Sequence, residues 1–216
     1  MQHFTKAEIR HIEDRYEDFL KEIRDKFDET RIARIEKAFR FANAAHDGIK
    51  RKSGEPFIIH PIAVAKIVVK DLGLGATSIV AALLHDVVED TEYRLSDIEN
   101  MFGNKVTRIV DGLTKLSGDF DSRQALTLKK ILMTLSDDVR VILIKIADRL
   151  HNMQTLDSML PHKKIKIAGE TLFLYVPLAH RLGLYAVKTE LEELSFKYKH
   201  PEEYNQIHYL LHNQEE

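Results

Sequence analysis

Apolar residues along this chain recur at steps of three and four and almost nowhere alternate at steps of two. Over residues 6–27, Ile9, Ile12, Tyr16, Phe19, Leu20, Ile23 and Phe27 share one face, the pattern of an amphipathic helix. A second helix is predicted over 31–46, ending near Gly48, and the polar stretch 47–59, DGIKRKSGEPFII, reads as a loop. His60-Pro61 opens the next helix, because proline is well tolerated in a first turn, and that helix runs to about Leu72. Thr77 is placed to cap a helix through about Asp90. The middle of that helix, 79–84, is apolar all round and belongs in the centre of a core. Ser96 with Glu99 has the spacing of a capping box and starts another helix. Further helices are predicted over 103–116, 122–135, 138–158, 162–182 and 184–198. The β-branched run 139–146 has strand character, but it continues unbroken into Ala147-Asp148-Arg149-Leu150 and is too long for a strand. The expected fold is all-α, without internal repeats.

Composition narrows the function classes. At 216 residues the chain is long enough to bury a core without a disulfide or a metal holding it together. It has no cysteine, which excludes thiolate metal sites and thiol nucleophiles and fits a reducing, cytoplasmic setting. Lys and Arg number 32 against 34 Asp and Glu, a net charge of −2, unlike a strongly basic nucleic-acid binder. The charged N-terminus lacks the apolar core of a signal peptide, and no apolar run approaches a membrane span. Neither nucleic acid nor membrane is an expected partner.

Chemistry concentrates in four places: Arg51-Lys52-Ser53 ahead of His60-Pro61, then His85-Asp86, Glu89-Asp90, and Asp148. His85 with Glu89, and Asp86 with Asp90, are four residues apart and share a side of a helix. Each of these residues alone has an ordinary explanation, a satisfied core histidine or the polar start of a loop. Taken together, His60, His85, Asp86 and Asp148 are most economically explained as ligands of one divalent metal, because buried charges need a partner. Lys145, Asp148, Asn152 and Thr155 form a polar stripe opposite Ile142, Ile146, Leu150 and Met153, which leaves Asn152 and Thr155 to hydrogen-bond a ligand. A polar stripe is by itself usually a solvent face, and a basic loop usually only a basic loop. Arg51, Lys52 and Ser53 nevertheless carry the donors that grip phosphate. His46, His151 and His180 are weaker candidates, since none adjoins the acid pair in sequence. Gly73-Leu74-Gly75 lacks the third glycine and the strand–helix–strand setting of a dinucleotide fingerprint.

The order His60, His85-Asp86, Asp148 resembles the HD superfamily of metal-dependent phosphohydrolases. The wider segments RKSGEPFIIHP, AALLHDVVEDT, VDGLTKL, IKIADRLHNMQTL and LYVPLAHRLGLYAVKTELEELSFKY are similar to the N-terminal hydrolase region of the RelA/SpoT (Rel) alarmone enzymes. That resemblance implies an HD-type helical domain removing the 3′-pyrophosphate of guanosine tetra- or pentaphosphate, with Mn²⁺ as cofactor. It implies His60, His85, Asp86 and Asp148 as metal ligands and Glu89 and Asp90 as the catalytic acids. Arg51, Lys52 and Ser53 match its nucleotide-gripping loop, and Asn152 and Thr155 its guanosine-side contacts. It further implies an N-terminal helix over 1–30, the hydrolase domain over 31–198, and at 199–216 the start of a linker toward synthetase and regulatory domains. An excised hydrolase domain is the expectation. An HD hydrolase of another nucleotide (a dNTP or NADPH) and a non-catalytic alarmone sensor remain the competing readings.

Overall fold

The computed structural model describes residues 3–116 and 137–212, and among them every named element is helical. One isolated antiparallel bridge, Lys50 to Pro56, joins the two sides of the basic loop. The helix expected over 122–135 lies outside the described residues. Among those residues, no helix is long and apolar enough to cross a membrane. The chain divides into two compact units, Met1–Ala147 and Asp148–Glu216.

In the first unit, α1 (Lys6–Ile23) starts at Thr5, whose hydroxyl accepts from the Glu8 backbone N–H while the Glu8 carboxylate accepts from the Thr5 N–H. Its buried face is Ile12, Phe19, Leu20 and Ile23, whereas Ile9, expected on that face, is 45% exposed. The helix ends at Ile23 rather than running to residue 27, because Asp28 caps α2 (Glu29–Ala45) by accepting the Arg31 N–H. Tyr16 of α1 stacks on Phe39 of α2 with ring centroids 3.6 Å apart.

Helix α3 (Ile59–Lys70) is buried along most of its length, and α4 (Ala76–Leu84) is buried from Ser78 to Leu84 without an exposed side. Helices α2, α3 and α7 (Asn104–Leu116) all pack on α4, which makes it the centre of this unit. Burying a Leu, Ile or Val contributes roughly 1.5–3 kcal/mol each, so this run fixes where α4 sits. Two expected caps are corrected. Gly75, not Thr77, is the N-cap of α4. Helix α6 (Leu95–Phe102) begins one residue ahead of Ser96, and the Asp97 carboxylate accepts the Arg94 N–H, the role the spacing suggested for Glu99. Between α4 and α6 lies the single turn α5 (Val87–Asp90).

Helix α8 (Val139–Gln154) is one helix, as its unbroken length predicts. In the second unit it is followed by a 3₁₀ turn (Leu156–Ser158), α9 (Pro161–Glu170), a π-helical turn (Thr171–Tyr175), α10 (Val176–Arg181), α11 (Tyr185–Lys199) and α12 (Pro201–His212). The segment expected as one helix over 162–182 is thus interrupted. Pro177 has no N–H for the ladder, and the Val176 N–H reaches back to the Thr171 carbonyl, five residues away. Helices α9 and α10 pack against α11, and α12 lies on α11.

The α7 contact to Val141 of α8 has no slack. A Cβ built on Gly112 would stand 2.8 Å from a Val141 methyl. Gly112→Val should therefore lower the unfolding free energy by about 1–3 kcal/mol, with part recovered by adding Val141→Ala, as read from urea unfolding midpoints.

Candidate functional site

The central helix does not run through the His-Asp pair as expected; it stops at Leu84. His85 and Asp86 form a turn, with Asp86 at φ −96°, ψ −7°, and α5 resumes at Val87. Neighbouring residues of a regular helix point about 100° apart and do not face a common centre. The break changes that: the His85 Nε2 lies 3.0 Å from an Asp86 carboxylate oxygen. The Asp86 carbonyl accepts the N–H groups of Glu89 at 3.1 Å and Asp90 at 2.9 Å, so the acid pair stays on the next turn, as the four-residue spacing requires.

His60 enters from α3, whose first turn comes directly after the basic loop. Its N–H bonds back to the Phe57 carbonyl at 3.0 Å, and Pro61 sits in the first turn, where a missing N–H costs nothing. The His60 Nε2 is 3.7 Å from the same Asp86 oxygen, and the His60 and His85 rings stand 5.2 Å apart, edge to face. Both histidines are buried, and the Asp86 side chain is 17% exposed. The His85 Nδ1 lies 2.7 Å from the Ala82 carbonyl, a pure acceptor, so Nδ1 carries the proton and Nε2 presents its lone pair toward Asp86.

These three residues fit a divalent cation. One ligand atom from each lies within 4.8 Å of the others. Ligands bound at about 2.0–2.2 Å from one ion stand roughly 3–4.4 Å from each other, so closure requires little movement. Nitrogen and carboxylate donors in a buried setting suit a borderline first-row ion.

The acid pair is more open than the histidines: Glu89 and Asp90 are exposed, with Thr91 ending the turn by donating its hydroxyl to the Val87 carbonyl. Partial desolvation, followed by the charge of Asp86, raises the Asp90 pKa above the usual aspartate range. The basic loop is a small hairpin. Arg51 N–H bonds to the Glu55 carbonyl and Gly54 N–H to the Arg51 carbonyl, both at 2.9 Å, with Gly54 at φ +86° making the turn. Lys52 and Ser53 are exposed at its tip, and Arg51 is partly buried.

His46, a weaker candidate in the sequence, is a packed interior histidine. It caps the end of α2, is fully buried, stacks on Phe57 and directs Nδ1 at the Ala42 carbonyl at 2.8 Å. Burial lowers its pKa, and the charges of Asp86 and Asp90 oppose that shift, so it lies within electrostatic reach of the acids it does not adjoin in sequence.

The second unit contains the other expected residues. Asp148 is buried, and the Asn152 amide donates to its carboxylate at 2.7 Å. Thr155 donates its hydroxyl to the His151 carbonyl at 2.9 Å. The polar stripe of α8 is therefore no solvent face: Asp148 is buried, and Lys145, Asn152 and Thr155 are intermediate. Beside them Arg149 pairs with Glu170 and lies over the Tyr175 ring, 4.4 Å from its centroid.

Comparison with known proteins places this geometry in context. A family model described as an HD domain matches residues 38–185. The bifunctional (p)ppGpp synthase/hydrolase SpoT of Escherichia coli is 48% identical over 183 residues, which cover 83% of this chain and 26% of that protein. The guanosine-3′,5′-bis(diphosphate) 3′-pyrophosphohydrolase of Aquifex aeolicus is 45% identical over 174 residues, 80% of this chain and 25% of that protein. A Streptomyces coelicolor protein named GTP pyrophosphokinase is 46% identical over 84% of this chain and 22% of its own length. The chain thus spans about a quarter of the length of these curated relatives. A solved structure of a metazoan SpoT orthologue shares the fold, with a TM-score of 0.55, 23% identity, and coverage of 78% of this chain and 96% of that one.

The geometry makes two measurable demands. His85→Ala should abolish stoichiometric uptake of a divalent cation, measured by elemental analysis after dialysis; full occupancy in the variant would remove His85 from the ligand set. The second concerns Asp90, whose pKa folding raises. The metal-free folded protein holds that proton more tightly than the unfolded chain, so the contribution favours folding at acid pH and is lost as pH rises through the raised pKa. Asp90→Asn should melt higher than the parent in chelator at neutral pH, with the difference closing toward acid pH.

Proposed function

The chain belongs to the HD-domain family and is of the SpoT/RelA type, and from that premise we propose that it hydrolyses the 3′-pyrophosphate of guanosine tetra- and pentaphosphate. The observation that carries the reading is the buried His60–His85–Asp86 group with an acid pair on the next turn. Asp148 joins the ligand set on the strength of the sequence motif. A divalent cation at this group, Mn²⁺ in this proposal, supplies Lewis-acid polarisation of a phosphate oxygen and offsets developing charge.

The chain's own residues do the rest. Arg51, Lys52 and Ser53 at the hairpin tip bind the anionic nucleotide, since an Arg–Lys pair with a hydroxyl offers several charge-assisted donors. Glu89 and Asp90 orient a water and take its proton as its oxygen bonds to the phosphorus attached to the 3′ oxygen. The bond from that phosphorus to the 3′ oxygen breaks, the acid pair passes the proton on to the departing 3′ oxygen, which leaves as a hydroxyl, and pyrophosphate departs intact. The raised pKa of Asp90 brings it nearer to the range in which a carboxylate is an effective base. Asn152 has a divided role, because its amide already orients Asp148; with Thr155 it is assigned to the guanosine side. Synthetase and regulatory domains are the proposed partners of this domain in a protein as long as its relatives.

Incubation of the chain with Mn²⁺ and guanosine 3′,5′-bis(diphosphate) should yield GDP and pyrophosphate in equal amounts, monitored by anion-exchange chromatography and phosphorus NMR. Glu89→Gln and Asp90→Asn should lower kcat by about 10²–10⁴-fold while metal content is kept. Orthophosphate as the first product, or faster turnover of a dNTP or NADPH, would assign a different HD hydrolase. Tight binding without product would assign a sensor.

A further inference from the structure

The basic hairpin is too small to hold its own shape. Its described backbone closures are Arg51 N–H to Glu55 O, Gly54 N–H to Arg51 O and Phe57 N–H to Ile49 O, each at 2.9 Å. A lone two-stranded hairpin is at best marginally stable in water. Its tip nevertheless has to present Arg51, Lys52 and Ser53 in one arrangement if it is to bind a nucleotide without a large ordering cost.

Helix α1 supplies the missing restraint. Glu8 and His11 are three residues apart and so stand on one face of that helix. The Glu8 carboxylate pairs with Lys50, the residue just before the tip. The His11 Nε2 stands 3.2 Å from the carboxylate of Glu55, the residue just after it. The two grips straddle residues 51–54. A third contact, His3 Nδ1 to the Asp47 carboxylate at 2.7 Å, fastens the start of the same segment. The helix can act as a fixed post because Ile12, Phe19, Leu20 and Ile23 are buried and it packs on α3.

Partly exposed ion pairs ordinarily contribute little, because two long side chains must be immobilised. Glu8 avoids half of that cost. Its other carboxylate oxygen already accepts the Thr5 N–H at 2.8 Å and the Thr5 hydroxyl at 2.9 Å as part of the helix cap. Only Lys50 has to be ordered when the pair forms. The Glu8 pKa, lowered to about 2 chiefly by the Lys50 contact, agrees with a carboxylate held against a cation.

We propose that Glu8 and His11 of α1 are positioning residues for the nucleotide loop, clamping Lys50 and Glu55 so that Arg51, Lys52 and Ser53 are presented in a binding-ready arrangement. This rests on the proposed nucleotide role of the loop. It makes α1, which lies outside the matched HD segment at 38–185, part of the substrate-binding apparatus.

Glu8→Gln is the informative substitution. Glutamine keeps the helix cap, because it too accepts the Thr5 N–H. It also removes a negative charge beside an anion-binding loop, so charge alone would tighten substrate binding. The clamp requires the opposite: KM for guanosine 3′,5′-bis(diphosphate) rising about two- to fivefold, with kcat and Mn²⁺ content unchanged. Hydrogen–deuterium exchange of the peptide over 49–57, recorded without nucleotide, gives a readout independent of the reaction and should quicken in Glu8→Gln. Unchanged exchange overturns the clamp, and so does faster exchange with KM unchanged or lowered. If the parent protein turns over no alarmone, the functional reading fails while the exchange result still decides the clamp.

Discussion

The end of the central helix is the constraint around which the first unit is organised. Helix α4 is buried on every side, so the residues after Leu84 are delivered into the interior. Those residues are a histidine and an aspartate. A buried polar group without a partner costs roughly 1–3 kcal/mol, and an unpaired charge costs more. The chain meets part of this by ending the helix at Leu84 and turning His85 so that Nδ1 bonds the Ala82 carbonyl, while the Nε2 lone pair and the Asp86 carboxylate beside His60 are left to be partnered by the cation of the proposed function. A continuous helix would have satisfied the backbone and scattered the candidate ligands. The interruption gives up regular hydrogen bonding at the point where convergence of side chains is required.

The two halves of the proposed chemistry stand on different physical footings. The histidines proposed as metal ligands are embedded in packed helices, where position is fixed by apolar burial and little reorganisation is possible. The residues proposed to grip phosphate ride on a small, largely exposed hairpin that leads within a few residues into His60. Such a loop offers access to a charged nucleotide, and its conformational freedom would weaken binding if nothing restrained it. Polar contacts from α1 provide restraint without burying the loop, which keeps donors such as Lys52 in solvent. A rigid reacting centre is thereby combined with an accessible, braced binding edge.

Departures from the sequence expectations have local physical causes. Capping depended on which carboxylate or hydroxyl was geometrically available: Asp28 ended the run expected to reach residue 27, and Asp97 took the role expected of Glu99. The 162–182 helix was interrupted ahead of Pro177, where the backbone shifted into a π turn and relieved the missing donor. His46, distant from the acid pair in sequence, comes within electrostatic reach of it because α2 packs on the helix that leads into those acids. On α8 the fold adds a contact the stripe did not announce, the Asn152 amide donating to Asp148.

The sequence by itself determined the all-α class, the central place of the apolar run at 79–84, and the candidate residues His60, His85, Asp86, Glu89, Asp90 and Asp148. Period, apolar continuity and motif order are properties of the chain that survive any reasonable packing. It also marked residues 47–59 as a polar loop with phosphate-binding donors. Tertiary structure decided what periodicity cannot encode: that the helix breaks at Asp86, so that adjacent residues face one point, and that α1 reaches across to brace the hairpin. Both depend on contacts between segments far apart in the chain. Their energies come from burial and from the pairing of distant polar groups, and neither leaves a local signature in the order of the residues.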